Sequence, residues 1–228
     1  MLVPFYSMNV SVYPAYQPIY SLTDMQIIGY EALIRSQEGL SPGELFFKAK
    51  NEGKMVDFDI ECLSNSISNI AKISGIIFLN IRPTTLMWLL QNYESWFKQN
   101  IPKDKVVLEI TEVEEILDME YFLRVLKKLR KSGYKYSIDD IATGYNRLHL
   151  VIHSAPDYIK LDDPIIRDCH KSTIKRSVIK HFVEISKDIG SILIAENIET
   201  RRELQTIQDL KVQYAQGFYL GKPTTDIE

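Results

Sequence analysis

The feature that most constrains this chain is an alternation of short apolar runs with longer amphipathic segments. The runs are rich in β-branched residues, as parallel strands covered on both faces must be. They span residues 75–80, 105–110, 135–139, 157–162, 191–196 and 212–216. The amphipathic segments predict helices over residues 58–73, 83–97, 119–129 and 174–189. Gly133 and Gly190 follow two of these segments and are suited to end helices.

Two further strands, at residues 15–20 and 26–35, come before these units. The turn at residues 22–25 predicts that they pair antiparallel. Eight strands in 228 residues match the size of a TIM-like (β/α)8 barrel, an α/β fold, here with an antiparallel strand near the N-terminus. No linker composition interrupts the chain, so residues 1–228 are predicted to form a single barrel domain. An open doubly wound sheet is the alternative, although the glycine-rich phosphate turn usual in that fold is absent.

Composition excludes several classes of function. Asp and Glu number 30 against 27 Lys and Arg, and the net charge of −3 argues against binding of DNA or RNA polymers by charge. Cys62 and Cys169 are far apart and form no CxxC motif, so free thiols are predicted. No signal peptide or apolar run of about 18 residues is present, which predicts a cytoplasmic chain without a membrane span.

Polar residues end nearly every predicted strand, where a core would place apolar ones. They are Glu31, Asn80, Glu109, Asp139, Asp140, Lys160, Asp162, Glu196 and Gln216. In a barrel these strand ends form a ring on the face that carries the chemistry of barrel enzymes. Two carboxylates about 4 Å apart repel by about 4 kcal/mol at an effective dielectric near 20. Either several pKa values rise sharply, or divalent cations occupy the ring.

The donor set indicates which cations would fit. Oxygen ligands alone favour hard ions such as Mg²⁺ or Mn²⁺, and so many carboxylates favour two ions. A two-metal site suits in-line displacement at phosphorus. Lys160 and Asp162 point to one side of their strand, where the lysine could orient or deprotonate a water molecule or hold charge. Arg35 lies four residues beyond Glu31, and its planar fork suits a phosphate.

Several separate motifs resemble those of the EAL domain family, the bacterial cyclic di-GMP phosphodiesterases. The signature is Glu31-Ala-Leu33 within Gly-Tyr-Glu-Ala-Leu-Ile-Arg. The resemblance runs from Gln17-Pro-Ile19 to Gly221-Lys-Pro223 and keeps the family's order. The intervening motifs are Leu79-Asn80, Leu108-Glu-Ile-Thr-Glu112, the double-aspartate loop Asp139-Asp-Ile-Ala-Thr-Gly-Tyr145, Ile159-Lys-Leu-Asp162, Ala195-Glu-Asn-Ile-Glu-Thr200 and Gln216-Gly217.

The resemblance implies a role for each matching position. Metal ligands would be Glu31, Asn80, Glu109, Asp139 and Asp140, together with Asp162, which would hold a metal or its water. Catalytic residues would be Lys160 and Glu196, which position and activate the hydrolytic water, and Glu112, which braces the loop after Asp140. Substrate contacts would come from Arg35 at a phosphate and from Gln17, with Glu199 and Gln216 on the product side.

The activity implied by the resemblance is metal-dependent hydrolysis of one phosphodiester bond of cyclic di-GMP, which yields linear pGpG in second-messenger signalling. Two Mg²⁺ or Mn²⁺ ions per site are expected, and Ca²⁺ is expected to inhibit because its bonds are longer and its geometry is looser. A homodimer is a further expectation. One alternative is a weak or inactive EAL module that binds cyclic di-GMP or a protein partner as an effector. Another is a barrel enzyme that uses metals on a different substrate, such as an enolising lyase.

The sequence departs from the family pattern at a few positions. Ile141 and Ala142 stand in the double-aspartate loop where phenylalanine and glycine are usual. Asn197 replaces a glycine, and Arg82 stands two residues after Asn80, where serine is common. None of these changes removes an expected ligand.

Overall fold

The computed structural model describes residues 10–141 and 147–226, apart from the side chain of Trp96. Residues 142–146 of the double-aspartate loop therefore lie outside the described residues, and the departure at Ala142 with them. The prediction of one domain over residues 1–228 also reaches beyond these ranges and stays a prediction. Within the described ranges, none of the helices combines the length and apolar character that a bilayer span requires.

Eight strands close into a barrel in chain order, which confirms the predicted fold class. β1 is antiparallel to both of its neighbours, β2 and β8, and all other neighbouring strands are parallel. The strands are β1 Val12–Ser21, β2 Ile27–Ser36, β3 Ile76–Ile81, β4 Val106–Ile110, β5 Lys135–Ile138, β6 Tyr158–Leu161, β7 Ile192–Ala195 and β8 Tyr214–Ala215. Closure of the sheet rules out the open doubly wound alternative.

Helices cover the outside of the barrel and bury their apolar faces against the strands. They are α1 Pro42–Asn51, α2 Met55–Ile67, α3 Pro83–Asn92, α4 Glu94–Asn100, α5 Met119–Lys131, α6 Arg147–Ser154, α7 Asp163–Ile166, α8 Thr173–Asp188 and α9 Arg201–Asp209. As predicted, Gly133 and Gly190 follow α5 and α8 with positive φ angles of 86° and 74°. Cys62 and Cys169 are free and buried.

The helices differ from the sequence prediction at several points. The segment predicted as one helix over residues 83–97 is divided into α3 and α4, because Tyr93 leaves the helical region at φ −138° and ψ 39°. The segment at 58–73 begins earlier as α2 and ends in a separate 3-10 turn, Ile70–Lys72. Helix α1 was not predicted, although Ser41 and Glu44 form a capping box at its start.

The interior of the barrel is built in layers, as expected for this fold. One layer is apolar and consists of Ile19, Phe78, Val107, Tyr158 and Ile194, each at most 5% exposed. Phe78 and Tyr158 meet edge to face with their ring centroids 5.0 Å apart. Since side chains alternate along a strand, the residues two positions further on belong to the next layer.

Candidate active site

The layer above the apolar one is polar, and it lies at the carboxyl ends of the parallel strands. Asn80, Glu109, Lys160 and Glu196 each stand two residues after a member of the apolar layer. Because β1 runs in the opposite direction, Gln17 reaches this layer two residues before Ile19, and it pairs in register with Glu31 of β2. We call this layer the polar ring; its members are Gln17, Glu31, Asn80, Glu109, Asp139, Lys160, Glu196 and Gln216.

Lys160 lies at the centre of the polar ring. Its Nζ is 2.5 Å from Glu109 Oε1, 2.6 Å from Glu196 Oε1, 3.2 Å from Glu31 Oε2 and 3.6 Å from Asp139 Oδ1. The Lys160 side chain is 1% exposed, so these carboxyl groups replace water around its ammonium group. The structure therefore gathers five predicted site residues that are separated by up to 165 positions in the chain.

Amide side chains complete the ring. Asn80 Nδ2 donates to Glu31 Oε1 at 2.9 Å, and Gln216 Nε2 donates to both Glu31 Oε2 at 2.5 Å and Glu196 Oε1 at 2.7 Å. Gln17 is buried and its Nε2 donates to the carbonyl oxygen of Gly221 at 3.0 Å. Glu31 thus accepts hydrogen bonds from three donors, counting Lys160.

Two members of the ring are held in their charged forms. Burial alone would raise the pKa of Glu31, but Lys160 and the two amide donors outweigh burial and place it below its usual value. Burial alone would lower the pKa of Lys160, yet Glu109, Glu196 and Glu31 raise it well above the ordinary value. Lys160 and Glu31 therefore form an ion pair in which both side chains stay charged.

The other two buried carboxyls favour the protonated form. Burial raises the pKa of Glu109 well above its usual value, and the charge of Glu31 adds to this effect. Burial likewise raises the pKa of Glu196, and Lys160 offsets only part of the shift. One ammonium group cannot balance three buried carboxylates, so the ring keeps protons that a bound divalent cation would replace.

A second acidic group lies beside the ring. Glu112, Asp139 and Asp140 each offer a carboxylate oxygen, and these oxygens lie within 4.8 Å of one another. Burial and the charge of Asp139 raise the pKa of Asp140 to about 8, and burial raises the pKa of Glu112. Asp140 also has a positive φ of 47°, an uncommon backbone conformation that places its carboxyl group beside that of Asp139.

The donor atoms fit a hard divalent cation. Within the polar ring, three buried oxygens have no hydrogen-bond partner among the described residues, namely Glu109 Oε2, Asp139 Oδ1 and Gln216 Oε1. Buried acceptors without partners are rare and call for an explanation such as a bound ion. Carboxylate and amide oxygens are the ligands preferred by Mg²⁺ and Mn²⁺, so the residues present fit the predicted metals.

Both acidic groups reach one cavity of about 470 Å³. Glu31, Asn80, Glu112, Asp139 and Asp140 line its acidic side. Other lining residues come from α1, from α2 and from the β3–α3 connection, and include Phe46, Phe47, Asp59 and Arg82. Arg35 also lines the cavity, with Nη1 donating to the Ile34 carbonyl oxygen at 2.9 Å.

Two predicted site residues, Asp162 and Glu199, are not members of the polar ring. Asp162 is buried at the start of α7, where its carbonyl oxygen accepts the backbone N–H groups of Ile165 and Ile166. Glu199 is 43% exposed and forms two hydrogen bonds with the guanidinium of Arg167, which lower its pKa. The structure does not bring Glu199 into contact with the polar ring.

Arg147 is a buried charge near the site that the sequence analysis missed. Its side chain is 2% exposed and donates to the carbonyl oxygens of Ile110 and Thr111 at the end of β4. Burial lowers its pKa, while Glu112 and Asp139 oppose that shift. Its spacing could have indicated burial, because Arg147 precedes Leu150 by three residues and Val151 by four. This spacing places Arg147 on the buried face of α6.

Known proteins share both the sequence pattern and the barrel. The chain is 25% identical over 227 residues to the probable cyclic di-GMP phosphodiesterase PdeA of Escherichia coli, a match that covers 89% of this chain and 31% of that protein. The chain thus spans about a third of the length of this curated relative.

Two solved structures match almost the whole chain. BlrP1 of Klebsiella pneumoniae, in complex with calcium and cyclic di-GMP, is 30% identical with a TM-score of 0.81, over 98% of this chain and 58% of that one. It is also known as a complex with manganese and cyclic di-GMP. A standalone EAL protein of Vibrio cholerae O395, in its cyclic di-GMP-bound form, is 25% identical with a TM-score of 0.82, over 96% of this chain and 94% of that one.

The family model described as EAL domain matches residues 8–223. With a match of that extent and a closed barrel in common with solved EAL proteins, this chain belongs to the EAL domain family.

Proposed function

We propose that this chain is a metal-dependent phosphodiesterase that hydrolyses cyclic di-GMP to linear pGpG. The observation that carries the proposal is the convergence of the Lys160-centred ring and the Glu112–Asp139–Asp140 group on one cavity. Cyclic di-GMP carries a negative charge on each of its two phosphates. Carboxylates would repel it, so a substrate of this kind requires cations between its phosphates and the acidic side.

The cations we propose are two Mg²⁺ or Mn²⁺ ions per site. The residues that would hold them are Glu31, Asn80, Glu109, Asp139, Asp140 and Asp162. When bound, such ions polarise phosphoryl oxygens and lower the pKa of water, which is the chemistry that in-line hydrolysis requires. The occurrence of calcium or manganese with cyclic di-GMP in BlrP1 supports a divalent cation here.

Lys160 and Glu196 are the residues we propose to handle the proton of the attacking water. Glu196 Oε1 lies 2.6 Å from Lys160 Nζ. With cations bound, the Glu196 carboxyl would lose the proton that its burial favours, and the resulting carboxylate would accept a proton from water. Attack of water on phosphorus breaks one bond from phosphorus to a 3′ oxygen. That oxygen leaves as a hydroxyl group, and the phosphate stays on the 5′ end of pGpG.

Other residues would bind the substrate or shape the site. Arg35 lines the cavity and is proposed to contact a substrate phosphate, and Glu112 is proposed to hold the two aspartates in place. Gln17 and Gln216 are proposed to contact the substrate, and their buried positions in the polar ring support this role. The product-side role of Glu199 stays a prediction, since Arg167 already engages its carboxylate.

A second candidate is an effector that binds cyclic di-GMP or a partner protein without turnover. The observation that favours it is that Lys160 pairs with the ring carboxyls, so the ring can stay buried without cations while Glu109 and Glu196 keep their protons. For either candidate, we also propose that the chain forms a homodimer and is located in the cytoplasm.

Incubation of the purified chain with cyclic di-GMP distinguishes the candidates. The phosphodiesterase predicts pGpG by chromatography with Mg²⁺ or Mn²⁺, and none after addition of EDTA. Tight binding of cyclic di-GMP without product in either metal would support the effector instead. Absence of both binding and product would contradict the phosphodiesterase and an effector of cyclic di-GMP, and would favour an effector that binds a partner protein.

A further inference from the structure

Arg82 is a charged part of the cavity that the proposed reaction leaves unused. It stands two residues after Asn80 and immediately before α3, with an extended backbone at φ −74° and ψ 144°. Extended residues two apart face the same side, so Arg82 and Asn80 point into the same cavity. At a rise of about 3.3 Å per residue, the Cα atom of Arg82 lies about 7 Å beyond that of Asn80.

Three elements fix the position of Arg82. Its guanidinium carbon lies 4.7 Å from the centroid of the Phe46 ring in α1. Its Nη1 is 3.5 Å from Glu114 Oε2, and its backbone N–H donates to Asp59 Oδ2 of α2 at 3.1 Å. The Arg82 side chain is only 12% exposed, so it is positioned before any ligand arrives.

Most of the donors of Arg82 remain available. A guanidinium carries five N–H donors, and in the part of the chain that the structure describes, the one polar side chain that pairs with the Arg82 guanidinium is Glu114; Phe46 contacts its face. Phe47 of α1 lines the same cavity and is 67% exposed, which leaves an aromatic face for a flat apolar ligand. A planar ligand with paired acceptors fits this combination.

We propose that Arg82 reads a guanine base of the substrate and is a specificity-determining residue; the inference rests on the proposed function. A phosphate bound beside Asn80 places the attached sugar and base further along the cavity, where Arg82 and Phe47 lie. Guanine presents O6 and N7 as two neighbouring acceptors, which match the guanidinium fork. Adenine has an amino donor in place of O6 and cannot accept both hydrogen bonds.

The test compares cyclic di-GMP with its 7-deazaguanine analogue, which keeps charge and shape but lacks the N7 acceptor. Dissociation constants are measured by titration calorimetry with Ca²⁺, and product formation is monitored in the same samples. The wild-type chain is expected to bind cyclic di-GMP at least about 5-fold more tightly than the analogue. Arg82→Ser should weaken binding of cyclic di-GMP by about 5- to 150-fold and abolish this preference.

Two further variants separate base reading from simple charge. Arg82→Lys keeps the charge but loses the fork, so it should also lack the preference. Arg124→Ser removes an arginine that is 60% exposed on α5 and should leave both dissociation constants unchanged. Thermal unfolding checks each variant, and if Arg82→Ser does not fold, Arg82→Met retains an apolar stem against Phe46.

The outcomes identify which idea fails. A wild-type chain that binds both ligands equally, or an Arg82→Lys variant with wild-type affinity, would overturn base reading by Arg82 while the proposed function stands. If the wild-type chain binds neither dinucleotide, the proposed function fails and this inference falls with it.

Discussion

Asp59 offers a prediction about stability that does not depend on the reaction. It lies on α2 with 3% of its surface exposed, and its Oδ2 accepts the backbone N–H of Arg82 at 3.1 Å. Burial raises the pKa of Asp59 to about 6, and the contacts with Arg82 offset burial only in part. The charged form of this side chain is therefore a cost to the folded state at neutral pH.

The size of that cost follows from linkage. An unfolded aspartate has a pKa of about 3.9, so the shift is about two units, or about 3 kcal/mol at about 1.4 kcal/mol per unit. Below about pH 4 both states are protonated and the cost vanishes. Between about pH 4 and 6 the folded state binds more protons than the unfolded state, so stability falls as pH rises. Above about pH 6 the full cost remains.

The perturbation is Asp59→Asn, which keeps an acceptor for the Arg82 N–H group and removes the charge. Urea unfolding in EDTA should give the variant about 2 kcal/mol more stability than the wild type at pH 7.5, after allowance for the unmatched amide donors. The difference should shrink by about 2 kcal/mol between pH 7.5 and 4.5. The carboxyls of the polar ring titrate in both proteins, so the difference isolates Asp59.

Asp104→Asn is the matched control, because Asp104 is exposed in the turn before β4. Its effect should stay within about 0.5 kcal/mol at every pH. A difference between Asp59→Asn and the wild type that does not vary with pH would refute the assignment of a raised pKa. A variant less stable than the wild type at pH 7.5 would refute the claim that the buried charge is costly.

The remaining predictions concern turnover. Glu31→Ala should abolish formation of pGpG with either metal, because it removes the carboxylate that joins Asn80, Lys160 and Gln216; near-normal turnover would refute its role as a ligand. Glu112→Ala should lower activity by about 10- to 100-fold and leave the melting temperature near that of the wild type. Unchanged dependence on metal concentration in that variant would argue against loop bracing. Ca²⁺ in place of Mg²⁺ or Mn²⁺ should inhibit hydrolysis, and full activity with Ca²⁺ would contradict the proposed mechanism.

The barrel could be predicted because its signals are local. The run Val106–Ile110 is buried at every position, as a strand covered on both faces must be, and its glutamate was conspicuous for that reason. The polar residues at the strand ends were predicted to share one face, and Lys160 does contact Glu31 and Glu196 there. That prediction needs only the order of the strands and the alternation of side chains along each strand, and it does not need the packing of the side chains.

The features that escaped prediction depend on contacts between distant elements. Arg147 and Asp59 lie on buried helical faces, and periodicity alone does not tell which charged residue will be enclosed. Glu199 is held at the surface by Arg167, 32 positions away, in a pair that no local pattern predicts. The break at Tyr93 likewise follows no proline or glycine in the sequence.

The layering of the barrel explains why the acidic ring has unusual protonation. Val107, Tyr158 and Ile194 fill the interior directly beneath Glu109, Lys160 and Glu196, so water cannot reach the ring from that side. Stabilisation of charge must come from within the ring or from the cavity above it. Lys160 supplies one positive charge from within the ring. The pKa values of Glu109 and Glu196 are nevertheless raised, because burial and the neighbouring carboxylates outweigh that charge. The same apolar layer that completes the core thus leaves two ways to limit the negative charge of the ring, namely protons on Glu109 and Glu196 or cations at the open end.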